Sequence, residues 1–157
     1  MGRVLLRARY FALAALLAGP AAACTAGSGR VLTDNAHWSE AANTVEIHNQ
    51  SADDAIVKIR DGATGSLLVA FFVAHGTSAG YRALPDGTYR VQFAYGRALN
   101  RRCTGFARFL RAAEFPDAET LETNMFGFPG TLAYTLQAHA DGNVVPRPIA
   151  AEAFAAR

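Results

Sequence analysis

The side chains best suited to chemistry in this chain are His37, His48, His75 and His139, Cys24 and Cys103, and scattered serines, carboxylates and arginines. Their spacing argues against several activities. No histidine or cysteine falls in a His-x-x-x-His, Cys-x-x-Cys or Cys-x-x-His arrangement, so no zinc site is encoded locally. Histidines so placed are expected as solvated loop or strand-end residues. Gly65-Ser66 and Thr77-Ser78 lack the strand–turn–helix setting of a nucleophile elbow. Asp53, Asp54 and Asp61 lack the alternating ligands, central glycine and terminal glutamate of a calcium-binding EF-hand loop. Asn49-Gln50-Ser51 is formally a glycosylation acceptor, but a polar turn explains it equally well. Cys103 follows Arg101 and Arg102, a setting that lowers a thiol pKa; a packed or disulfide-bonded cysteine is the plainer expectation. No cofactor or metal ligand set is expected, and no catalytic residue is assigned.

A second group concerns binding. Arg97, Arg101, Arg102, Arg108 and Arg111 make a basic run, and Glu114, Asp117, Glu119 and Glu122 follow it. This is expected to be a mutually compensated surface, with anionic headgroups or phosphate as the alternative contact. Trp38, Tyr81 and Phe126 are candidates for a sugar-stacking platform, although aromatic residues in a small domain usually join the core.

The N-terminus carries an address. Arg3, Arg7 and Arg9 precede a short apolar stretch from Tyr10 to Ala18, then Gly19-Pro20 and the small residues Ala21-Ala22-Ala23. That order predicts a secretory signal over residues 1–23. Its apolar core is too short to span a bilayer, which takes roughly 20 residues. Ala21-Ala22-Ala23-Cys24 resembles the lipobox of bacterial lipoproteins, departing from it at Ala21, where leucine is usual. The resemblance implies lipidation of Cys24 and a membrane anchor, and Thr25 to Gly29 reads as a flexible tether. Plain cleavage near Cys24 stays open, as does pairing of Cys24 with Cys103, which spacing does not decide. The expected location is the cell envelope, membrane-anchored through Cys24, with a soluble periplasmic or secreted protein as the alternative.

Removing the signal also changes the charge. The whole chain has 15 basic and 13 acidic residues. Loss of the three signal arginines leaves 12 against 13, a net −1. A near-neutral domain offers no support for nucleic-acid binding.

The elements that must position these residues read as strands. Leu84-Pro85-Asp86-Gly87 is a turn, and the following residues alternate. Tyr89, Val91, Phe93 and Tyr95 share one face; Thr88, Arg90, Gln92 and Ala94 share the other. Four large side chains on one face predict a central strand, with Val91 and Phe93 in the core and Gln92 facing away. Thr44–His48 and Ala55–Asp61 flank a polar cluster, as a hairpin or as a crossing between sheets. Leu67 to Ala74 is a continuous apolar run, expected as a strand covered on both faces. Arg101–Arg111 is expected as a bulged strand. Thr131–His139 alternates, with Leu132, Tyr134 and Leu136 inward. Asp141-Gly142 is a hairpin signal. Pro146 and Pro148 confine Val144–Ile149 to an edge, and residues 150–154 close with a helical turn. The sum is an all-β, antiparallel β-sandwich of about seven strands. The division is residues 1–23 as signal, 24–43 as tether and N-terminal segment, and 44–157 as the sandwich.

Leu84-Pro85-Asp86-Gly87-Thr88-Tyr89-Arg90-Val91 resembles the Leu-Pro-x-Gly-x-Tyr-x-Val pattern of prealbumin-like sandwiches, such as carboxypeptidase regulatory-like domains, and related immunoglobulin-like folds. The match covers about a dozen residues. It implies a small, non-catalytic extracellular module.

Recognition on such a scaffold belongs to loops. Residues 112–130 are the least regular stretch and contain Phe115, Met125, Phe126 and Phe128, a composition unlike that of disorder. Phe126 and Phe128 are therefore the candidate partner surface, with a cap over the core as the competing expectation. The functional expectation is a non-catalytic envelope module acting through binding or structure, with an envelope protein or glycan as partner. The alternatives are a periplasmic carbohydrate-binding module and a small hydrolase assembled from scattered residues.

Overall fold

The computed structural model describes residues 24–36, 42–137 and 145–156. The signal expected over residues 1–23, Trp38, His37, His139 and the Asp141-Gly142 turn lie outside the described residues.

Among the described residues, ten strands and one short helix follow one another: β1 Val31–Asp34, β2 Asn43–Asn49, β3 Asp54–Asp61, β4 Leu67–Val73, β5 Thr77–Leu84, β6 Gly87–Leu99, β7 Phe106–Glu114, β8 Glu119–Leu121, β9 Thr131–Leu136, β10 Arg147–Ile149 and α1 Ala151–Ala155. They form two sheets. The larger has the order β1-β4-β3-β6-β7-β10 and the smaller β5-β2-β9. β8 pairs with the first residues of β6, on the edge that β7 occupies further along. The large sheet is antiparallel throughout, whereas β9 runs parallel to β2. The polar cluster after Asn49 is therefore a sheet-crossing connection, because β2 pairs with β5 and β9 while β3 pairs with β4 and β6.

β6 is the central strand that its alternation predicts. Tyr89, Val91, Phe93 and Tyr95 pack with Val57, Ile59, Val69 and Phe71 against Val45 and Ile47 of the small sheet. Burying such side chains is the dominant favourable term in folding, at about 1.5–3 kcal/mol each. The apolar run of β4 is covered on both faces, as its composition requires. Val69, Phe71 and Val73 enter this core, and Phe72 turns to the opposite side.

The other face of the large sheet is covered as well. There Phe72, Ile56, Ala94, Leu99 and Ala112 pack with Phe154 of α1, alongside Cys24 and Phe106. The same face carries polar residues that alternation alone places in solvent. Arg60 Nε donates to Gln92 Oε1 at 2.8 Å, and Gln92 Nε2 donates to Glu114 Oε2 at 2.8 Å. Arg147 donates to Glu114 Oε1 at 2.7 Å. Lys58 Nζ reaches the carbonyl of Phe154 in α1, and Arg60 that of Ala156 just after it. Gln92 faces away from the core, as alternation predicts, but is buried inside a hydrogen-bonded chain rather than left at the surface. A short helix closing over the sheet caused the difference, since period-two patterning reports the face but not what covers it.

The expected lipid anchor is also corrected. Cys24 and Cys103 form a disulfide, with their Cα atoms 5.6 Å apart across 79 residues. A lipoprotein cysteine carries its diacylglyceryl group on sulfur, so a sulfur committed to Cys103 has no valence left for it. Cys24 also makes a β-bridge to Leu99, so it belongs to the fold rather than to a free tether. The membrane partner through Cys24 and the anchored location are therefore withdrawn. A disulfide fits an oxidising, extracytoplasmic setting. No helix among the described residues is long and apolar enough to cross a membrane.

Candidate functional site

The loop between β8 and β9 stands out. Met125, Phe126 and Phe128 are 89%, 77% and 66% exposed. Large apolar side chains held in water without cover mark interaction sites when they cluster. Hydrogen bonds order this loop. Asn124 Oδ1 accepts from the backbone N–H of Phe126 at 2.9 Å and of Phe128 at 3.0 Å. The Asn124 N–H donates to the Phe128 carbonyl, and the Gly127 N–H to the Asn124 carbonyl, both at 2.9 Å. Gly127 has φ +80°, a left-handed conformation that glycine adopts without a Cβ penalty. Four backbone and side-chain bonds within five residues therefore pre-form the turn that presents the two rings.

Its base is tied to the turn that starts the central strand. Asp86 Oδ1 accepts from the Thr123 N–H at 2.7 Å, from the Thr123 hydroxyl at 3.0 Å and from Asn43 Nδ2 at 2.9 Å. Asn43 Oδ1 in turn accepts from the Gly130 N–H at 2.6 Å, so one Asp86–Asn43 pair holds both ends of the loop. The hydrogen bonds from Asn43 and then Thr123 keep the Asp86 carboxyl below its ordinary range. Sequence reading missed Asp86 and Asn43 as loop supports. Asp86 reads simply as a turn residue, and Asn43 lies 80 residues upstream of Thr123.

The stretch 112–130 is more regular than its composition implies, since it contains the end of β7 and all of β8. Its aromatic residues also part company. Phe115 is buried and stacks on Tyr134, with centroids 4.3 Å apart, and packs against Phe93 at 5.3 Å. Phe126 and Phe128 stay outside. Of the other platform candidates, Tyr81 is partly buried and its hydroxyl meets Asp34 Oδ2 at 3.1 Å.

The two described histidines, His48 and His75, have separate partners. His48 Nδ1 lies 2.7 Å from Ser78 Oγ, across the β2–β5 ladder. His75 Nδ1 lies 3.0 Å from Asp54 Oδ1 at an exposed strand end. The His48–Ser78 contact has the reach of a base and a nucleophile. It sits among Glu46 and Thr135 on the side of β2 that faces away from the core residues Val45 and Ile47, and no carboxylate hydrogen-bonds the His48 ring among the described residues. No cluster of three or more metal-ligating side chains occurs among the described residues.

The basic run also resolves differently from expectation. Glu114 bonds Arg147, with Arg90 at 3.8 Å, and Glu119 pairs in register with Tyr89 at the start of β6. The acidic residues therefore lie away from the β6–β7 tip where the arginines gather. Among the described residues the only ion pair at that tip joins Arg97 to Asp53 at 3.1 Å.

Comparisons of the chain with family models, with curated proteins and with solved structures give no match.

Proposed function

We propose that this protein is an exported, non-catalytic carbohydrate-binding module, with residues 1–23 as its export signal and a prealbumin-like sandwich as its scaffold. The observation that carries the reading is the pre-formed turn holding Phe126 and Phe128 exposed on a rigid base. Aromatic rings fixed in water offer flat apolar faces to the C–H faces of sugar rings, and a pre-ordered loop loses little conformational entropy on binding. The disulfide supports export without a lipid on Cys24. Asn124, Thr123 and Glu122 border the rings with groups able to hydrogen-bond sugar hydroxyls.

Met125 favours a second reading, an envelope protein with an apolar pocket, because a flexible thioether adapts to irregular apolar surfaces. One experiment separates the two. The disulfide-intact protein is passed over immobilised polysaccharides and envelope glycan preparations, alongside Phe126→Ala and Phe128→Ala. The expected result is retention of the parent on at least one glycan, loss of retention by tenfold or more in the variants, and melting temperatures within about 2 °C, as for a surface change. No retention on any glycan, or equal retention of parent and variants, overturns the glycan reading. Melting of both variants well below the parent identifies the loop as a cover for the core instead.

A further inference from the structure

At the opposite end of β6 lies a second surface, independent of the aromatic loop. Along β6 (Gly87–Leu99) the two lie about 30 Å apart at roughly 3.3 Å per residue. Residues 96–112 contain five arginines and no carboxylate. The β6–β7 register sets Arg97 directly opposite Arg108 and Tyr95 directly opposite Arg111, with a bulge between the two pairs; the Arg111 guanidinium over the Tyr95 ring puts that pair on the face that further along forms the core. Among the described residues Arg97, Arg108 and Arg111 are exposed, whereas Tyr95 is buried behind them.

Like charges directly opposite one another on a sheet are destabilising. Arg97 spends its Nε on Asp53, and Arg108 meets no carboxylate among the described residues. The Arg111 guanidinium lies 4.4 Å from the centroid of the Tyr95 ring, a cation–π contact that holds it beside the phenol. The Tyr95 hydroxyl is the second observation. The residue is only 3% exposed, and its hydroxyl makes no hydrogen bond of good geometry among the described residues, although Ser51 and Arg111 lie close enough for weak ones and Asp53 is nearby. Burial pushes the phenol pKa up, so it keeps its proton and remains a donor. Buried polar groups are nearly always paired, and an orphan calls for an explanation.

We propose that this face binds a tetrahedral oxyanion, a phosphate or a phosphate ester, gripped by Arg97, Arg108 and Arg111 with the Tyr95 hydroxyl as a donor behind them. Guanidinium forks match phosphate oxygens in charge and geometry. An anion between Arg97 and Arg108 turns their mutual repulsion into shared attraction, and a shift of Arg111 on the Tyr95 ring opens the phenol to it. The group comes either as free phosphate or as an ester on a sugar.

Calorimetric titration of the disulfide-intact protein at low ionic strength, with inorganic phosphate and with mannose 6-phosphate, tests this. Saturable binding of at least one probe is expected, with tighter binding of the ester assigning the sugar source and equal binding assigning the free ion. Arg108→Gln should weaken binding tenfold or more. Tyr95→Phe should weaken it severalfold with little change in melting temperature, because the hydroxyl it removes makes no hydrogen bond of good geometry in the fold. Phe126→Ala should bind phosphate as the parent does, which keeps this site separate from the glycan reading. No saturable binding of either probe, or an Arg108→Gln protein that binds like the parent, overturns the proposal. A Tyr95→Phe protein that melts lower and binds unchanged removes the phenol from the site.

Discussion

Gln92 shows how much one neighbour matters. Its side chain accepts from Arg60 and donates to Glu114, both at 2.8 Å, on a face closed by α1. Gln92→Ala leaves two buried charged partners each short of a bond. The expected destabilisation is about 1–3 kcal/mol, the cost of unsatisfied buried groups. Phe93→Ala, one residue on and facing the other way, should cost about 3–5 kcal/mol through lost burial and a cavity. Denaturant midpoints measure both, and a Gln92→Ala midpoint equal to the parent's would mean that the chain of bonds contributes nothing. Neither partner of Gln92 is legible locally. Arg60 lies 32 residues before it and Glu114 22 residues after it. The inward ring of Phe93, by contrast, follows from alternation alone.

Among the elements, the β6–β7 hairpin depends on two close fits. A Cβ on Gly96 would strike the Phe106 ring and come within 2.7 Å of the Arg108 carbonyl, so only glycine allows β7 to cross there. Cys103, at φ +54° in the hairpin turn, is bonded to Cys24. Closing a loop of 79 residues removes unfolded-chain entropy worth about 4–5 kcal/mol. Reduction, or the double variant Cys24→Ser/Cys103→Ser, should therefore lower unfolding stability by up to that amount, and urea melts with and without reductant measure it. Identical stability of oxidised and reduced protein would remove the disulfide from the account. The sequence left this pairing open because two cysteines far apart in the chain say nothing about their distance in space. The expected strands fared better. β4, β6 and β9 carry strong local patterns, while β8, with three residues, is too short to show a period.

At the scale of the whole molecule, the outer-face network and the core tyrosines together shape the pH response. Burial and then the Arg60 charge lower the Lys58 amine from 10.5 to about 8. Between pH 8 and 10.5 the unfolded chain holds a proton there that the folded chain has released, so stability rises with pH in that window. Burial pushes the Tyr81, Tyr89 and Tyr134 phenols up to about 12. Above pH 10 the unfolded chain loses these protons first, and stability falls as pH climbs towards 12. Unfolding free energy should therefore climb from pH 8 towards about 10 and then decline. Lys58→Met should flatten the rise and leave the decline, as urea titrations at stepped pH would show. A rise that persists in Lys58→Met would assign it to another group. Taken alone, the sequence determined the all-β class, the central strand with its inward face, and the apolar content of the 112–130 stretch, because alternation and composition act within a few residues. Tertiary structure decided the rest. It chose which sheet each strand joins, ran β9 parallel to β2, closed Cys24 onto Cys103, buried Gln92, and set Arg97 opposite Arg108. Each of these turns on contacts between residues far apart in the chain, whose register depends on the packing of the two sheets and the helix rather than on any local pattern.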